Sequence, residues 1–189
     1  MAFLCKIVMF MRRICTIVII ATLLTTGCTA HDCPQAVLEK FYDEYLALSC
    51  PPQGEYPNYE EVQQLLKQNL TTELYSALEA SHDAESDHWI DYDMFIQGQD
   101  CWPGIRAERI ERIDGSRWYV VEVVLPDMNN PDSIQMRNCV FFHLEKDDGD
   151  GQWLIGCIDD GYNRLGNAPR EEEFALRNNL FYKEIFVIH

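Results

Sequence analysis

Apolar positions change their spacing about halfway along the chain. From Val37 to Leu78 they recur three and four residues apart. From Ile105 to Asp159 they alternate, or run continuously between short turn signals. The first spacing belongs to helices with one buried face and the second to strands.

Three helices are expected in the first part. Val37, Phe41, Tyr45 and Leu48 form one stripe, with Leu38, Tyr42 and Leu46 beside it. Its start is set by Asp32-Cys-Pro-Gln35, with Asp32 as cap, Pro34 in the first turn and Gln35 completing a capping box. Pro51 disfavours helical geometry at Cys50 and closes the helix. Asn58 and Glu61 open a second helix that carries Val62, Leu65 and Leu66 to about Asn69. Thr71 caps a third, with Leu74, Tyr75 and Leu78 on its apolar side. Residues 81–88 are polar and acidic and read as a loop. Residues 90–104 mix aromatic rings with Asp91, Asp93, Gln99 and Asp100, and read as an ordered connection.

The second part holds the densest β-branched and aromatic sequence, in strands over 117–125, 134–145 and 152–159. A further strand over 105–113 precedes them, joined by Asp114-Gly115, a strong hairpin signal. Residues 126–131 and 147–151 make the other turns. The fold class is therefore α+β, with N-terminal helices packed on a curved antiparallel sheet of four strands or more. With the last turn centred on Gly149, Val140 faces Ile158, Phe142 faces Gly156 and Leu144 faces Leu154. The opposite face then carries Cys139, Phe141, His143, Trp153, Ile155, Cys157 and Asp159. Both faces bury something. One takes the helices; the other, if the sheet curves, forms a concave pocket.

Charge narrows the partners. The 189 residues carry a formal charge of −16. The first 27 residues hold Lys6, Arg12 and Arg13 and no acid. Removing these three from the 15 basic residues leaves 12 against 31 acidic ones, a net of −19. Phosphate backbones are repelled by such a balance, which excludes nucleic acid as a partner. A basic protein is attracted, and its association is speeded by the field.

Arg12 and Arg13 precede an apolar run over 14–24, and small residues follow. That is the plan of a secretory signal. The run is shorter than the ~20 apolar residues of a spanning helix. Met11, directly before the arginines, is an alternative start. Leu24-Thr-Thr-Gly-Cys28 resembles the bacterial lipoprotein box, with Thr25 where Leu is usual. The resemblance implies lipidation of Cys28 and anchorage in the bacterial cell envelope, facing the periplasm. Ordinary cleavage near Ala30 is the alternative. Residues 1–27 are then signal peptide, 28–32 a tether, 33–165 the folded domain and 166–189 a helical or extended tail.

An exported chain meets an oxidising compartment, where disulfides persist. Cys33, Cys50, Cys101, Cys139 and Cys157 remain after Cys28, an odd number. Cys33 and Cys50 flank a helix and would lie ~25 Å apart, too far to bond each other. Cys139 and Cys157 read as packed, buried cysteines, and the pairing is otherwise open.

Helices first and a long antiparallel sheet after is the order of the nuclear-transport-factor-2-like (cystatin-like) cone. More narrowly, the chain resembles the YbjP/YqhG-type bacterial lipoproteins. The matching stretches are the lipobox, Phe41-Tyr-Asp-Glu-Tyr-Leu46, Asp93-Met-Phe-Ile-Gln-Gly-Gln-Asp100, and Gln152-Trp-Leu-Ile followed by Asp159. The resemblance covers residues 33–161. The resemblance implies a fold and a location, with no catalytic residue and no cofactor.

Few residues point to chemistry. His143 and Asp159 share a predicted face, so a His–Asp pair in a pocket is one reading, for an enzyme or a small-molecule carrier. No second base, nucleophile or oxyanion donor accompanies it. Asp91, Asp93 and Asp100 fit no calcium loop and read as an acidic rim. No Gly-rich phosphate loop, HExxH or GxSxG occurs, and no CxxC or Cys/His spacing suggests zinc. The residues expected to bind are His143, Asp159, Trp153, Asp93 and Asp100, with no metal ligand. The function expected is binding of a protein or small ligand without catalysis. One specific form is an immunity protein that neutralises a basic secreted toxin.

Overall fold

A computed structural model of the protein describes residues 33–52, 55–83, 85, 89–172 and 176. Asp32 and Cys28 lie outside these residues, as do the apolar run of the expected signal, the tether and residues 181–189. The described part is an α+β arrangement in which three helices precede five antiparallel strands. The helices are α1 (Pro34–Ser49), α2 (Tyr59–Asn69) and α3 (Thr72–Ser81). The strands are β1 (Arg106–Arg112), β2 (Trp118–Asp127), β3 (Asn130–Lys146), β4 (Trp153–Asp159) and β5 (Arg164–Gly166). They pair in sequence order, each with the next. Among the described residues, no helix is long and apolar enough to cross a membrane.

Local signals placed most boundaries. Asn58 caps α2 by accepting from the Glu61 N–H at 3.3 Å, and Thr71 caps α3 by accepting from Leu74 N–H at 3.2 Å. The start of α1 differs from expectation. Cys33 holds the N-cap position, with no side-chain bond, and Gln35 donates forward to Glu39 at 2.9 Å rather than back to the cap. Pro34 at the first position fixes the start alone, because its missing N–H needs no partner there. The β2–β3 turn is also tighter than expected: only Met128 and Asn129 separate the strands, which bend through register shifts at Pro126 and Asp127.

The helices cover one face of the sheet. Leu38, Phe41, Tyr42 and Tyr45 of α1 pack with Tyr119, Val121, Val123 and Leu125 of β2 and with Val140, Phe142 and Leu144 of β3 in one large apolar cluster. Phe41, Tyr42, Tyr45, Phe95 and Phe142 form a run of rings whose centroids lie 4.8–6.2 Å apart. Such contacts add to the ~1.5–3 kcal/mol that burying each large apolar side chain contributes.

The last hairpin corrects the expected register. Phe142 pairs with Ile158 and His143 with Cys157, but Leu144 pairs with Ile155, so Gly156 is an extra residue on β4. A one-residue slip turns every following side chain to the other face. Ile155 and Trp153 therefore join the helix-side cluster, away from His143. Glycine is required nearby, at Gly166. Its φ is +82°, and a Cβ there would meet the Gly156 carbonyl oxygen at 2.2 Å.

The other face buries a smaller cluster of Ile113, Trp118, Val120, Phe141, Cys157 and Leu176. The concave pocket expected there is filled. Residues 170–172 and Leu176 take helical geometry, and Leu176 packs into that cluster.

Candidate functional site

Residues 90–101 cross the helix-covered face as a compact connection built on turns. Asp93 and Gly98 bridge each other, and Gln97 at the tip has a φ of 52°. A non-glycine residue in that region needs support. Asn138 of β3 supplies it, donating its side-chain amide to the carbonyls of Ile96 at 2.9 Å and Gln97 at 3.2 Å. Gln97 donates its own amide to the carbonyls of Cys139 and Asp160. Beside it, the Tyr92 hydroxyl donates to Asp160 Oδ2 at 2.5 Å, while Asp160 Oδ1 accepts from the N–H groups of Tyr162 and Asn163.

The connection and the ends of the helices border a half-open cavity of about 650 Å³. Asp93 forms part of its wall. One carboxylate oxygen accepts from the Tyr45 hydroxyl at 2.5 Å, and the other from Phe95 N–H at 2.8 Å. Burial pushes the Asp93 carboxyl above its ordinary range, and these donors with His82 only partly oppose that. Burial, with Asp93 close by, also raises the Tyr45 hydroxyl well above its usual value, so it stays the donor. Asp91 and Asp100 stand exposed at the same cavity. Its walls otherwise include Val62, Leu66 and Leu78 of the helices, with Tyr59 and Trp89, 73% and 54% exposed. The lining described contains no lysine or arginine.

Cys101 lines this cavity and is bonded to Cys50, tying the end of α1 to the connection. Their Cα atoms are 4.9 Å apart, a normal span. The bridge was one of several pairings open at the level of sequence. Cys139 is a thiol on the other face, half-buried, and its pKa is raised by burial.

The remaining expected residues are dispersed. Of the five, Asp93 and Asp100 meet at the cavity. Trp153 packs against the helix-side cluster, with the Lys146 ammonium 5.3 Å from its ring centre. His143 and Asp159 do share a face, but neither lines the cavity, and each has a different neighbour. Asp159 receives Arg164 through Nε at 2.8 Å and Nη2 at 2.7 Å, and accepts from Gly161 N–H at 2.9 Å. His143 is fully buried; its ring meets Trp118 edge-on at 5.5 Å, and its Nε2 lies 3.3 Å from Glu172 Oε2. Neither ring nitrogen has an aligned hydrogen bond among the described residues. Burial lowers its pKa, with Glu172 opposing and Arg117 adding to the shift. The two side chains are thus packed parts of the sheet, each held by a different charged neighbour.

Sequence reasoning missed Tyr45, Tyr59, His82 and Trp89 at the cavity, and Glu172 on the opposite face. Tyr45 read as core, which it also is. For Trp89, the available signal was a large ring beside an acidic loop. Comparison with protein-family models, with curated protein sequences and with solved structures gave no match.

Proposed function

We propose that the chain is a binding protein of the bacterial cell envelope, lipid-anchored through Cys28 and facing the periplasm, of the YbjP/YqhG type with a nuclear-transport-factor-2-like cone. It holds its ligand without transforming it. Its partner is a basic protein or a small cationic molecule; in the most specific form it is an immunity protein that neutralises a basic secreted toxin. The carrying observation is the cavity at α1–α3, where Asp91, Asp93 and Asp100 meet exposed aromatic rings and, in the described lining, no lysine or arginine balances them. The excess of acidic residues supports a cationic partner. The Cys50–Cys101 bond supports an oxidising compartment, since such bonds are rare in a reducing cytosol. The order of three helices and then an antiparallel sheet supports the cone.

The test has two arms on the full chain expressed in a bacterium. Radiolabelled palmitate should enter the protein and hold it in the membrane fraction, and Cys28→Ala should abolish both. Envelope extracts should yield a basic partner that is lost as salt rises from about 0.05 M to about 0.5 M, because screening weakens exposed charge pairs. Absence of label would overturn the anchor, and the absence of any salt-sensitive partner would overturn the binding reading.

A further inference from the structure

We propose that the cavity beside Asp93 is a receptor for one organic cation, an ammonium or guanidinium carried on an apolar stem. This rests on the binding reading above and names the chemistry of its ligand. Three features of the walls converge on it. The volume of about 650 Å³ lies in the range of small-molecule sites and far exceeds what a packing defect leaves. The stem has apolar partners in Val62, Leu66 and Leu78. The head has two kinds of partner: carboxylates at Asp91, Asp93 and Asp100, and the ring faces available from the exposed Tyr59 and Trp89.

Asp93 makes the case specific. A desolvated carboxylate costs free energy unless a positive charge stands beside it. Tyr45 and Phe95 give it hydrogen bonds but no charge, and among the described lining residues only His82 carries charge of the opposite sign when protonated. A cation seated beside Asp93 supplies what the wall lacks. An anion would meet three carboxylates, and a neutral ligand would leave them uncompensated. The two exposed rings are otherwise unexplained, because the core is complete without them.

The same head group occurs on a free amine and on the lysine or arginine of a basic protein. Calorimetric titration of the full chain with phenethylamine, with the neutral phenethyl alcohol and with an oligoarginine peptide separates these sources. Binding of phenethylamine on the order of tenfold tighter than the alcohol is the expected result for a free amine. Binding of oligoarginine alone assigns the cavity to a protein side chain. In either case Asp91→Asn with Asp100→Asn, and separately Trp89→Ala, should weaken the cation by about tenfold. These positions are exposed, and an unchanged thermal midpoint checks that the variants fold. Equal binding of amine and alcohol, binding of neither cation, or variants that bind as the parent does, would each overturn the proposal. A basic envelope partner still captured by both the double variant and Trp89→Ala would overturn the cavity's role and leave the binding reading standing.

Discussion

The two faces of the sheet are buried by different means. On one, three helices and the 90–101 connection press a continuous apolar cluster against β2, β3 and β4. On the other, six buried apolar residues form a smaller cluster, His143 lies against Trp118 of it, and the cover is fastened by charge. Glu172 accepts from Arg117 N–H at 2.6 Å and from its guanidinium Nε at 2.8 Å, beside His143. Arg164 lies 5.5 Å over the Trp118 ring. The first face depends mainly on area and shape, so salt should hardly touch it and pH should act there only through the Asp93 wall of the cavity. The second depends on groups that titrate and screen. One sheet can therefore combine a durable side with a conditional one.

The largest expected effect is on the helix side. Phe142→Ala should cost about 3–5 kcal/mol in denaturant unfolding, through lost burial and the cavity it leaves. Glu172→Gln, on the other side, should cost on the order of 1 kcal/mol, the worth of a partly exposed hydrogen-bonded pair. Equal losses would erase the contrast. Next comes the bridge on the helix side: replacing Cys50 and Cys101 together by alanine should cost about 2–4 kcal/mol, because the 51-residue loop it closes is then free in the unfolded chain. An unchanged midpoint would mean that the connection is held without it. Asn138→Ala should cost about 1–3 kcal/mol by leaving the carbonyls of Ile96 and Gln97 without their donor, and amide exchange should quicken in residues 93–98.

Smallest, and most diagnostic, is the response to pH. His143 has a lowered pKa, so below about pH 6.5 the unfolded chain takes a proton that the folded chain refuses, and stability falls. Asp93 has a raised pKa. Its contribution is full below about pH 4 and is lost as pH rises through the folded value. Glu172 is pushed up by burial, and Arg117 with His143 together outweigh that. Its net lowered pKa adds stability above about pH 4.5 that acid removes. Acid thus weakens one face while favouring the wall of the cavity on the other. His143→Leu should flatten the decline just below pH 6.5, and Asp93→Asn should remove the loss on raising pH from 4. Profiles unaffected by either substitution would refute the assignment.

Much of the scaffold was legible because its causes are local. Asn58 and Thr71 act within one helical turn, and the Asp114-Gly115 turn forms the hairpin beside it. Strand alternation placed Phe141 and Phe142 on opposite faces correctly. The alternation failed at Gly156, because an inserted residue leaves composition unchanged and only pairing reveals it. The cavity was half legible: an acidic, aromatic connection was visible, but Tyr45 and Asp93 are separated by 48 residues. The charged clasp was not legible, since Arg117 and Glu172 lie 55 residues apart in segments that read as a strand and a tail.

Helix α1 has a directional consequence. Cys33 sits at its start, close enough to Tyr119 at the beginning of β2 to affect its ionisation, whereas Tyr45 and Ser49 near its finish border the cavity. Sixteen residues of helix span about 24 Å. The cavity therefore lies about one helix length from the residue where the described chain begins.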